Sequence, residues 1–475
     1  MTDWPSRRSV LKSIAGSTIA VGALGTASAD DREATQRQLY VVLAGGNGLR
    51  SHIERTEFEV LHELAGGSAL IVEGPSDKSD ALRTSAVVDD IIANETHVVD
   101  IERSASEGSD STESQREKQW DKQLVRARAA HERATGAETT IAIIDTGVSH
   151  SHPALASRID AERSRLFRYG RVHAGTADAL VAEAPADYYP SIRETTQHVS
   201  DDVHGHGTHV AGIAATGRNE TGIVGMAPDA EIVSLRSFFF ERIADINPTF
   251  PDETVGVLMG SITDILLAID YAAENGVDVI NLSLGQTLPP DSRAYAAYRR
   301  VIQHAVKQGV VVVVAAENYG WNLDDESEYV LPADVPGAST VAATGPTDKR
   351  SHYSNYGDGA IDVAAPGGRY ETPSKSEITD PNEVAYPDPT NGILSTVPES
   401  IYGELYDYNY GTSMAAPQVA GLAALLRELE PDRHPRRIQQ AIAQGAVDLS
   451  GEYTEGLGAG RIDAPNALDR ITNGR

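Results

Sequence analysis

Five short, mostly apolar segments restrict the fold of this chain more than any other feature. They lie near residues 139–145, 231–235, 277–282, 309–316 and 339–344. Apolar runs of this kind are typical of parallel strands that are buried on both faces. Helical patterns separate or follow them, near residues 206–216, 261–275, 292–308, 413–429 and 435–444. The alternation predicts an α/β fold, with a parallel sheet covered by helices on both faces.

Two polar residues stand at the ends of predicted strands. Asp145 closes the segment Thr-Ile-Ala-Ile-Ile-Asp and precedes a glycine turn, and Asn318 follows the strand at 309–316 by two residues. Functional side chains collect at the carboxyl ends of strands in open α/β sheets. An aspartate that only starts a turn is the alternative for Asp145.

Histidines cluster in residues 204–212, His-Gly-His-Gly-Thr-His-Val-Ala-Gly, where a turn enters a helix of small residues. His206 is the candidate base, and His204 and His209 are interpreted as structural because one base suffices. A zinc site is not supported, because the His-Glu-x-x-His pattern is missing and the chain has no cysteine.

Ser413 lies in residues 411–417, Gly-Thr-Ser-Met-Ala-Ala-Pro, just before the apolar run Val419–Leu426. A serine at a helix start is often only a cap. Together with Asp145 and His206, however, it completes a set of nucleophile, base and orienting carboxylate. The Asn318 side-chain amide is suited to donate a hydrogen bond to the oxyanion of a tetrahedral intermediate.

From about residue 120 to about residue 468, the chain resembles the subtilisin-like serine proteases (subtilases, peptidase family S8), in particular secreted halophilic ones. The matching segments are 144–147, 206–212, 283–285, Asn318 and 411–417, with the order Asp, His, Ser. The resemblance implies an endopeptidase that cleaves protein and peptide substrates through an acyl-enzyme. Asp145, His206 and Ser413 would then form the triad, with Asn318 in the oxyanion hole.

The resemblance also implies substrate-binding residues. Ser283, Leu284 and Gly285 would pair with the substrate backbone as an added strand does, and Ala316 and Glu317 would line the pocket for the residue before the cut. Glu317 replaces the glycine that is usual in the family. Its carboxylate would discourage acidic residues and favour Arg or Lys; alternatively, it turns outward to solvent and Ala316 and apolar neighbours set the pocket.

The N-terminus has the features of an export signal. Ser6–Lys12 resembles a twin-arginine motif, an apolar stretch follows at 14–24, and Ala27-Ser28-Ala29 offers a cleavage site. We therefore expect residues 1–29 to be a signal peptide, read by the twin-arginine export machinery, and the protein to be secreted. The apolar stretch is too short for a membrane span.

Residues 30–103 are expected to form a small α+β domain similar to subtilase propeptides. Strands are expected at Leu39–Ala44, Phe58–Leu64, Ser68–Val72 and His97–Ile101, and a helix at Asp80–Ile92. The resemblance implies an intramolecular inhibitor and folding aid, and an unrelated binding domain is the alternative. Residues 104–119, rich in Ser and acidic side chains, are expected to be a linker with the processing region, followed by the catalytic domain at 120–475.

No cofactor is required for this chemistry, and no metal ligand is assigned. Structural calcium is possible, because residues 217–223 keep Asn219 where the family has a ligand. Ala154, however, stands where the family usually has a ligating aspartate, and loss of a carboxylate weakens an oxygen-ligand site.

Three segments enlarge the chain relative to short subtilases. They are the insertions near 160–200 and 369–391 and the loop that begins with Phe238–Phe240. The three phenylalanines either form a wall of the substrate subsites or anchor their loop in the core. A catalytically silent binding protein on the same fold is the main alternative function. A dinucleotide-binding enzyme and an α/β-hydrolase are disfavoured, because Gly-x-Gly-x-x-Gly and Gly-x-Ser-x-Gly do not occur where they would be needed.

The charge of the chain is strongly acidic. Its formal net charge is −29, with 33 Arg and only 7 Lys. The chain has no basic stripe to meet phosphates, so nucleic-acid binding is excluded. Many acidic residues with few lysines suggest a halophile surface, and an acidic mesophilic protein is the alternative.

We predict that the protein loses structure and activity as salt is diluted, because repulsion between its acidic groups is then no longer screened. Melting temperature and peptidase activity measured from about 0.05 M to about 3 M salt test this, since the Debye length changes severalfold over that range. Values that stay constant across the series would contradict it.

Overall fold

The computed structural model describes residues 37–99, 115–185, 189–218, 222–246, 252–325 and 328–473. The predicted signal peptide and most of the predicted linker lie outside these ranges. No helix in the described part of the chain combines the length and hydropathy of a membrane span.

Twenty-one strands are formed by the described residues. Numbered along the chain, they are β1 (Arg37–Ala44), β2 (Glu59–Leu64), β3 (Ala69–Pro75), β4 (Val88–Ala93), β5 (Thr96–Val98), β6 (Thr140–Asp145), β7 (Arg165–Arg168), β8 (Arg171–His173), β9 (Thr176–Ala182), β10 (Ile192–His198), β11 (Glu231–Arg236), β12 (Phe238–Arg242), β13 (Gly256–Ser261), β14 (Val279–Leu282), β15 (Gln286–Leu288), β16 (Val311–Ala315), β17 (Tyr329–Leu331), β18 (Ser339–Thr344), β19 (Val363–Pro366), β20 (Ile393–Thr396) and β21 (Tyr406–Asn409).

The described α-helices are α1 (Leu49–Ile53), α2 (Ser79–Leu82), α3 (Trp120–Leu124), α4 (Ala127–Ala130), α5 (His206–Ala215), α6 (Ile243–Ile246), α7 (Ile262–Glu274), α8 (Ala294–Lys307), α9 (Pro373–Ser376), α10 (Glu399–Tyr402), α11 (Thr412–Leu429), α12 (Pro435–Gly445) and α13 (Ala464–Asn473).

The main sheet has the strand order β19-β18-β16-β14-β6-β11-β7-β8. All neighbouring strands are parallel except β7 and β8, which are antiparallel at one edge. Alternate side chains of β6 enter two different cores: Ala142 and Ile144 pack with α7 and α8, whereas Ile141 and Ile143 pack with α5, α11 and α12. The α/β fold with helices on both faces is therefore confirmed, because both faces of each central strand are buried.

The N-terminal unit is a four-stranded antiparallel sheet with the order β2-β3-β1-β4. Side chains of β1 alternate: Tyr40 and Val42 belong to the unit's own core, and Val41 and Leu43 pack into the core shared with α7 and α8. The expected hairpin of β2 and β3 forms, and it turns at residues 65–67.

One expectation for this unit is wrong. A helix was predicted over Asp80–Ile92, but the chain forms only the single turn α2 and then the strand β4, in which Ile91 pairs with Val42. Strand pairing next to β1 buries Ile91 and Val88, and this tertiary contact outweighs the helical spacing. The last predicted strand, His97–Ile101, corresponds to β5, which spans Thr96–Val98. Ile101 lies outside the described residues.

Polar contacts fix the N-terminal unit to α7 and α8. The Arg300 guanidinium donates to the carbonyls of Ala44 (2.7 Å) and Ser68 (2.9 Å). On α7, Asp270 Oδ1 accepts from the Ala65 amide (2.7 Å). Strand β5 leaves the unit's own sheet and joins β12 and β13 instead.

The three enlarged segments are folded over most of their length. The insertion at 160–200 contains β7 to β10, of which β9 and β10 form a hairpin, and the 369–391 insertion contains α9. Phe238–Phe240 starts the hairpin of β12 and β13, and all three rings are buried. Gln119, the last residue of the predicted linker, is buried and exchanges hydrogen bonds with Val224.

Candidate active site

Three candidate residues meet at the carboxyl edge of the main sheet. Asp145 ends β6, His206 begins α5, and Ser413 is the second residue of α11. His206 Nδ1 lies 2.8 Å from Asp145 Oδ1 and 3.0 Å from Oδ2, and both side chains are buried. The carboxylate is thus placed to orient the imidazole and to stabilise its charged form.

His206 and Ser413 line one cavity of about 520 Å³. The Ser413 hydroxyl is hydrogen-bonded to the Ser283 carbonyl at 3.4 Å, and the Ser283 hydroxyl donates to the Ser413 carbonyl at 2.8 Å. Rotation about the Ser413 Cα–Cβ bond redirects the hydroxyl without moving the backbone. One cavity therefore contains a hydroxyl and an imidazole, the two groups that nucleophilic catalysis by serine combines.

Asn318 lines the same cavity. Its Oδ1 accepts from the Thr412 amide at 2.9 Å and from the Thr412 hydroxyl at 3.0 Å. With the oxygen engaged by two donors, the nitrogen remains available as a donor near the nucleophile. Thr412 was not identified from the sequence as a functional residue, although it precedes Ser413 directly.

The substrate-binding candidates divide into two groups. Ser283, Leu284, Gly285 and Glu317 line the cavity. Ala316 is not among the lining residues, and it is fully buried in a satellite core.

Glu317 does not turn outward to solvent. Its backbone has φ 72°, a left-handed conformation that is rare for a residue with a side chain. The side chain packs against Gly285 so closely that a Cβ on that glycine would lie 2.7 Å from Glu317 Oε1. Burial raises the pKa of the Glu317 carboxyl to about 7, and the nearby His206 acts in the opposite direction.

Residues 97–99 of the N-terminal unit lie in this cavity, in a groove beside β13. In β5, Val98 pairs with Met259 and His97 with Gly260, antiparallel to β13, and the Val99 amide donates to the Leu258 carbonyl at 2.9 Å. Residues 97–99 line the cavity together with Ser413. The chain thus lays its own segment across the site as an added strand.

Asp202 organises the site but was not identified from the sequence. Oδ1 accepts from Thr146 Oγ1, His204 N and Gly205 N at 2.8–2.9 Å, and Oδ2 accepts from Thr208 N and Oγ1 at 2.5–2.9 Å. One buried carboxylate therefore links the turn after Asp145 to the first turn of α5. In the sequence, Asp202 is marked only by its position four residues before His206, and this spacing indicates no particular chemistry.

The other two histidines of the cluster have different surroundings. His209 Nε2 lies 3.1 Å from the Ile393 carbonyl and 3.2 Å from the Asp407 carbonyl, and burial lowers its pKa to about 3. His204 is buried with its ring centroid 6.3 Å from that of Phe240. Neither is among the residues that line the cavity.

Asn219, which occupies a position where the family has a calcium ligand, lies outside the described residues, and Ala154 offers no side-chain oxygen. Within the described ranges, no group of three or more His, Cys, Asp or Glu side chains is placed to hold a metal ion.

Comparisons with known proteins agree on one family. The model of the subtilase family, Peptidase_S8, matches residues 136–461. Thermitase of Thermoactinomyces vulgaris is 32% identical over 74% of this chain and 96% of its own length. An alkaline protease of Alkalihalobacillus alcalophilus is 29% identical over 88% of this chain and 83% of its own length.

Among solved structures, the epidermin leader peptide processing serine protease of Staphylococcus aureus superposes with a TM-score of 0.68 at 22% identity. The match covers 91% of this chain and 98% of that protein. At this identity the likeness supports the fold alone.

We predict that Asp202→Ala lowers the free energy of unfolding by at least about 3 kcal/mol, because it leaves several buried N–H groups without an acceptor. Denaturant unfolding at constant molar salt, in a Ser413→Ala background that prevents self-digestion, measures the effect. Asp201→Ala is the matched control, since among the described residues Asp201 Oδ1 accepts from two amides, of His150 and Asp202. Equal losses for both variants would contradict the organising role of Asp202.

Proposed function

The chain belongs to the subtilase family of serine proteases, and we propose that it is a secreted endopeptidase, made as a self-processing precursor, whose triad is Asp145, His206 and Ser413. The observation that carries this proposal is the bond from His206 Nδ1 to Asp145 in a cavity that His206 shares with Ser413 and Asn318. A nucleophile, a base, an orienting carboxylate and an amide donor then surround one reacting carbonyl.

In the proposed first step, Ser413 Oγ attacks the carbonyl carbon of the scissile peptide while His206 Nε2 takes the hydroxyl proton. Asp145 accepts the Nδ1–H bond and stabilises the imidazolium, without itself being protonated. The carbonyl oxygen becomes an oxyanion, to which Asn318 Nδ2 donates. Collapse breaks the C–N bond, and the imidazolium protonates the departing amine.

The second step repeats the sequence with water. His206 takes a proton from the water, whose oxygen attacks the acyl carbon, and the Ser413 oxygen leaves with that proton. The enzyme returns to its starting state. Each step uses the same donors, so the site needs no rearrangement between acylation and deacylation.

Substrates are proposed to bind as an extended strand between β13 and the segment Ser283–Gly285. Strand β5 supports this, because it already pairs with β13 in the groove. Backbone pairing accepts many sequences, whereas pockets for alternate side chains provide selectivity. Proteins with an exposed, extended loop are therefore the expected substrates.

The N-terminal unit is proposed to be an inhibitory propeptide and folding aid. Support comes from β5, which covers the groove, and from the bonds of Arg300 and Asp270 that hold the unit on α7 and α8. Residues 104–119 are the proposed processing region between the two units. Export by the twin-arginine machinery rests on residues 1–29 and follows from the sequence alone.

Ser413→Ala and His206→Ala should each lower peptidase activity by many orders of magnitude, because attack and proton transfer act as a unit. Asn318→Ala should cost about 10²–10³ in kcat, since only one oxyanion donor is removed. Casein hydrolysis in molar salt measures all three variants. Activity that persists in Ser413→Ala would favour another reaction, and an inactive parent protein with intact structure would favour the silent binding protein.

Maturation gives a separate test of the precursor. Purified Ser413→Ala should remain at full precursor length, whereas the parent chain should release its N-terminal unit, because the same hydroxyl would make the processing cut. Mass spectrometry over time follows both chains. Normal maturation of the purified Ser413→Ala protein would show that another protease processes it.

A further inference from the structure

The carboxyl of Glu317 is the feature of the cavity that the proposed chemistry leaves without a use. Among the described residues it has neither a hydrogen bond nor an ion pair, and its environment is set by burial and by His206. No lysine or arginine lines the cavity in the described part of the chain. A half-buried carboxyl without a partner is costly unless a ligand provides one.

The position of this carboxyl is close to the reacting atoms. Glu317 directly precedes Asn318, and its side chain reaches across to Gly285, at the end of the segment whose Ser283 carbonyl contacts Ser413 Oγ. The carboxyl therefore lies between the two walls that flank the nucleophile. A substrate side chain entering there belongs to the residue whose carbonyl is attacked.

An aromatic pair begins two residues after Glu317. Tyr319 lines the same cavity, and its ring stacks on Trp321 with centroids 4.8 Å apart and an angle of 29°. Tyr319 is 47% exposed and Trp321 is 42% exposed, and they are the exposed large hydrophobic side chains of the described chain. Exposed aromatic faces next to a carboxylate are typical of sites that bind a guanidinium or an ammonium group.

Asn355 holds this arrangement in place. Its Oδ1 accepts from the amides of Tyr319 (3.1 Å) and Trp321 (2.9 Å), and its Nδ2 donates to the Ala316 carbonyl (2.8 Å). Its own amide donates to the Glu317 carbonyl (3.0 Å). These bonds fix the backbone on both sides of Glu317 and maintain the left-handed φ, so the subsite is preformed.

We propose that Glu317 and Tyr319 form a subsite for a basic side chain, arginine or lysine, in the substrate residue whose carbonyl Ser413 attacks. The proposal rests on the endopeptidase function proposed above and names its preferred substrates. Arginine is favoured over lysine, because its planar group pairs with the carboxylate and stacks on the Tyr319 ring at once.

The test compares kcat/KM for peptides that differ only in the residue whose carbonyl Ser413 attacks. This residue is Arg, Lys, Leu, Ala or Glu, and the matured full enzyme is used in constant molar salt. The parent enzyme should prefer Arg to Leu, and Glu317→Gln should lower the Arg/Leu ratio about five- to tenfold. Tyr319→Ser should lower the Arg/Lys ratio about two- to fivefold. Asp325→Asn, an exposed carboxylate in the same region that does not line the cavity, is the control and should leave both ratios unchanged.

The pH dependence gives an independent readout. The Arg/Leu ratio of the parent enzyme should rise from about pH 6 to about pH 8.5, because Glu317 deprotonates near the middle of this range while the substrate guanidinium stays charged. The other titratable residues lining the cavity are His97, His206, Tyr298, Tyr319 and Tyr410. His97 leaves with the N-terminal unit, and His206 serves both peptides equally. The Arg/Leu ratio of Glu317→Gln should therefore stay constant over this pH range.

An Arg/Leu ratio that Glu317→Gln does not move, or that Asp325→Asn lowers equally, would overturn the proposal. A parent enzyme that cleaves after Ala but after neither Arg nor Leu would also overturn it, because Glu317 would then close the pocket. Cleavage of the Leu or Ala peptide that is lost in Ser413→Ala supports the endopeptidase function whatever the Arg/Leu ratio, so the two proposals fail separately.

Discussion

Burial of the main sheet on both faces is the constraint on which the rest of this structure depends. The central strands carry apolar side chains toward helices on either side, and their charged side chains stand only where a strand begins or ends. Asp145 stands at such an end, and the first turns of α5 and α11 bring His206 and Ser413 to the same edge. The three proposed catalytic groups are therefore carried by helices and a strand whose spacing is set by the packing of the cores.

The bonds that align these groups are made by residues without a proposed chemical role. Asp202 joins the turn after Asp145 to the start of α5, and Thr412 orients the amide of Asn318. Asn355 performs a similar task for the backbone of Glu317. In each case a buried polar group forms hydrogen bonds with neighbouring donors or acceptors. These bonds keep a side chain or a backbone segment of the site in one orientation.

The N-terminal unit uses the same sheet physics in another way. One face of its small sheet has a core of its own, and the other face is completed by α7 and α8. Strand β5 then adds to β13, so a segment of the chain occupies the groove in which a substrate would pair. In the proposed inhibition, this segment would compete with substrate through backbone hydrogen bonds rather than through any particular side chain.

The sequence by itself determined the sheet-and-helix alternation and the three motifs, because period, turn residues and local chemistry are written in short segments. All five predicted strands and all five predicted helices of the main unit form, within a few residues of their expected bounds. Other features depended on contacts between distant segments. Val88–Ala93 became a strand only because β1 offers it an edge, Glu317 faces Gly285 only because Asn355 fixes its backbone, and Ala316 is buried by a satellite core. Such outcomes are set by which surfaces meet after folding, and no local pattern contains that information.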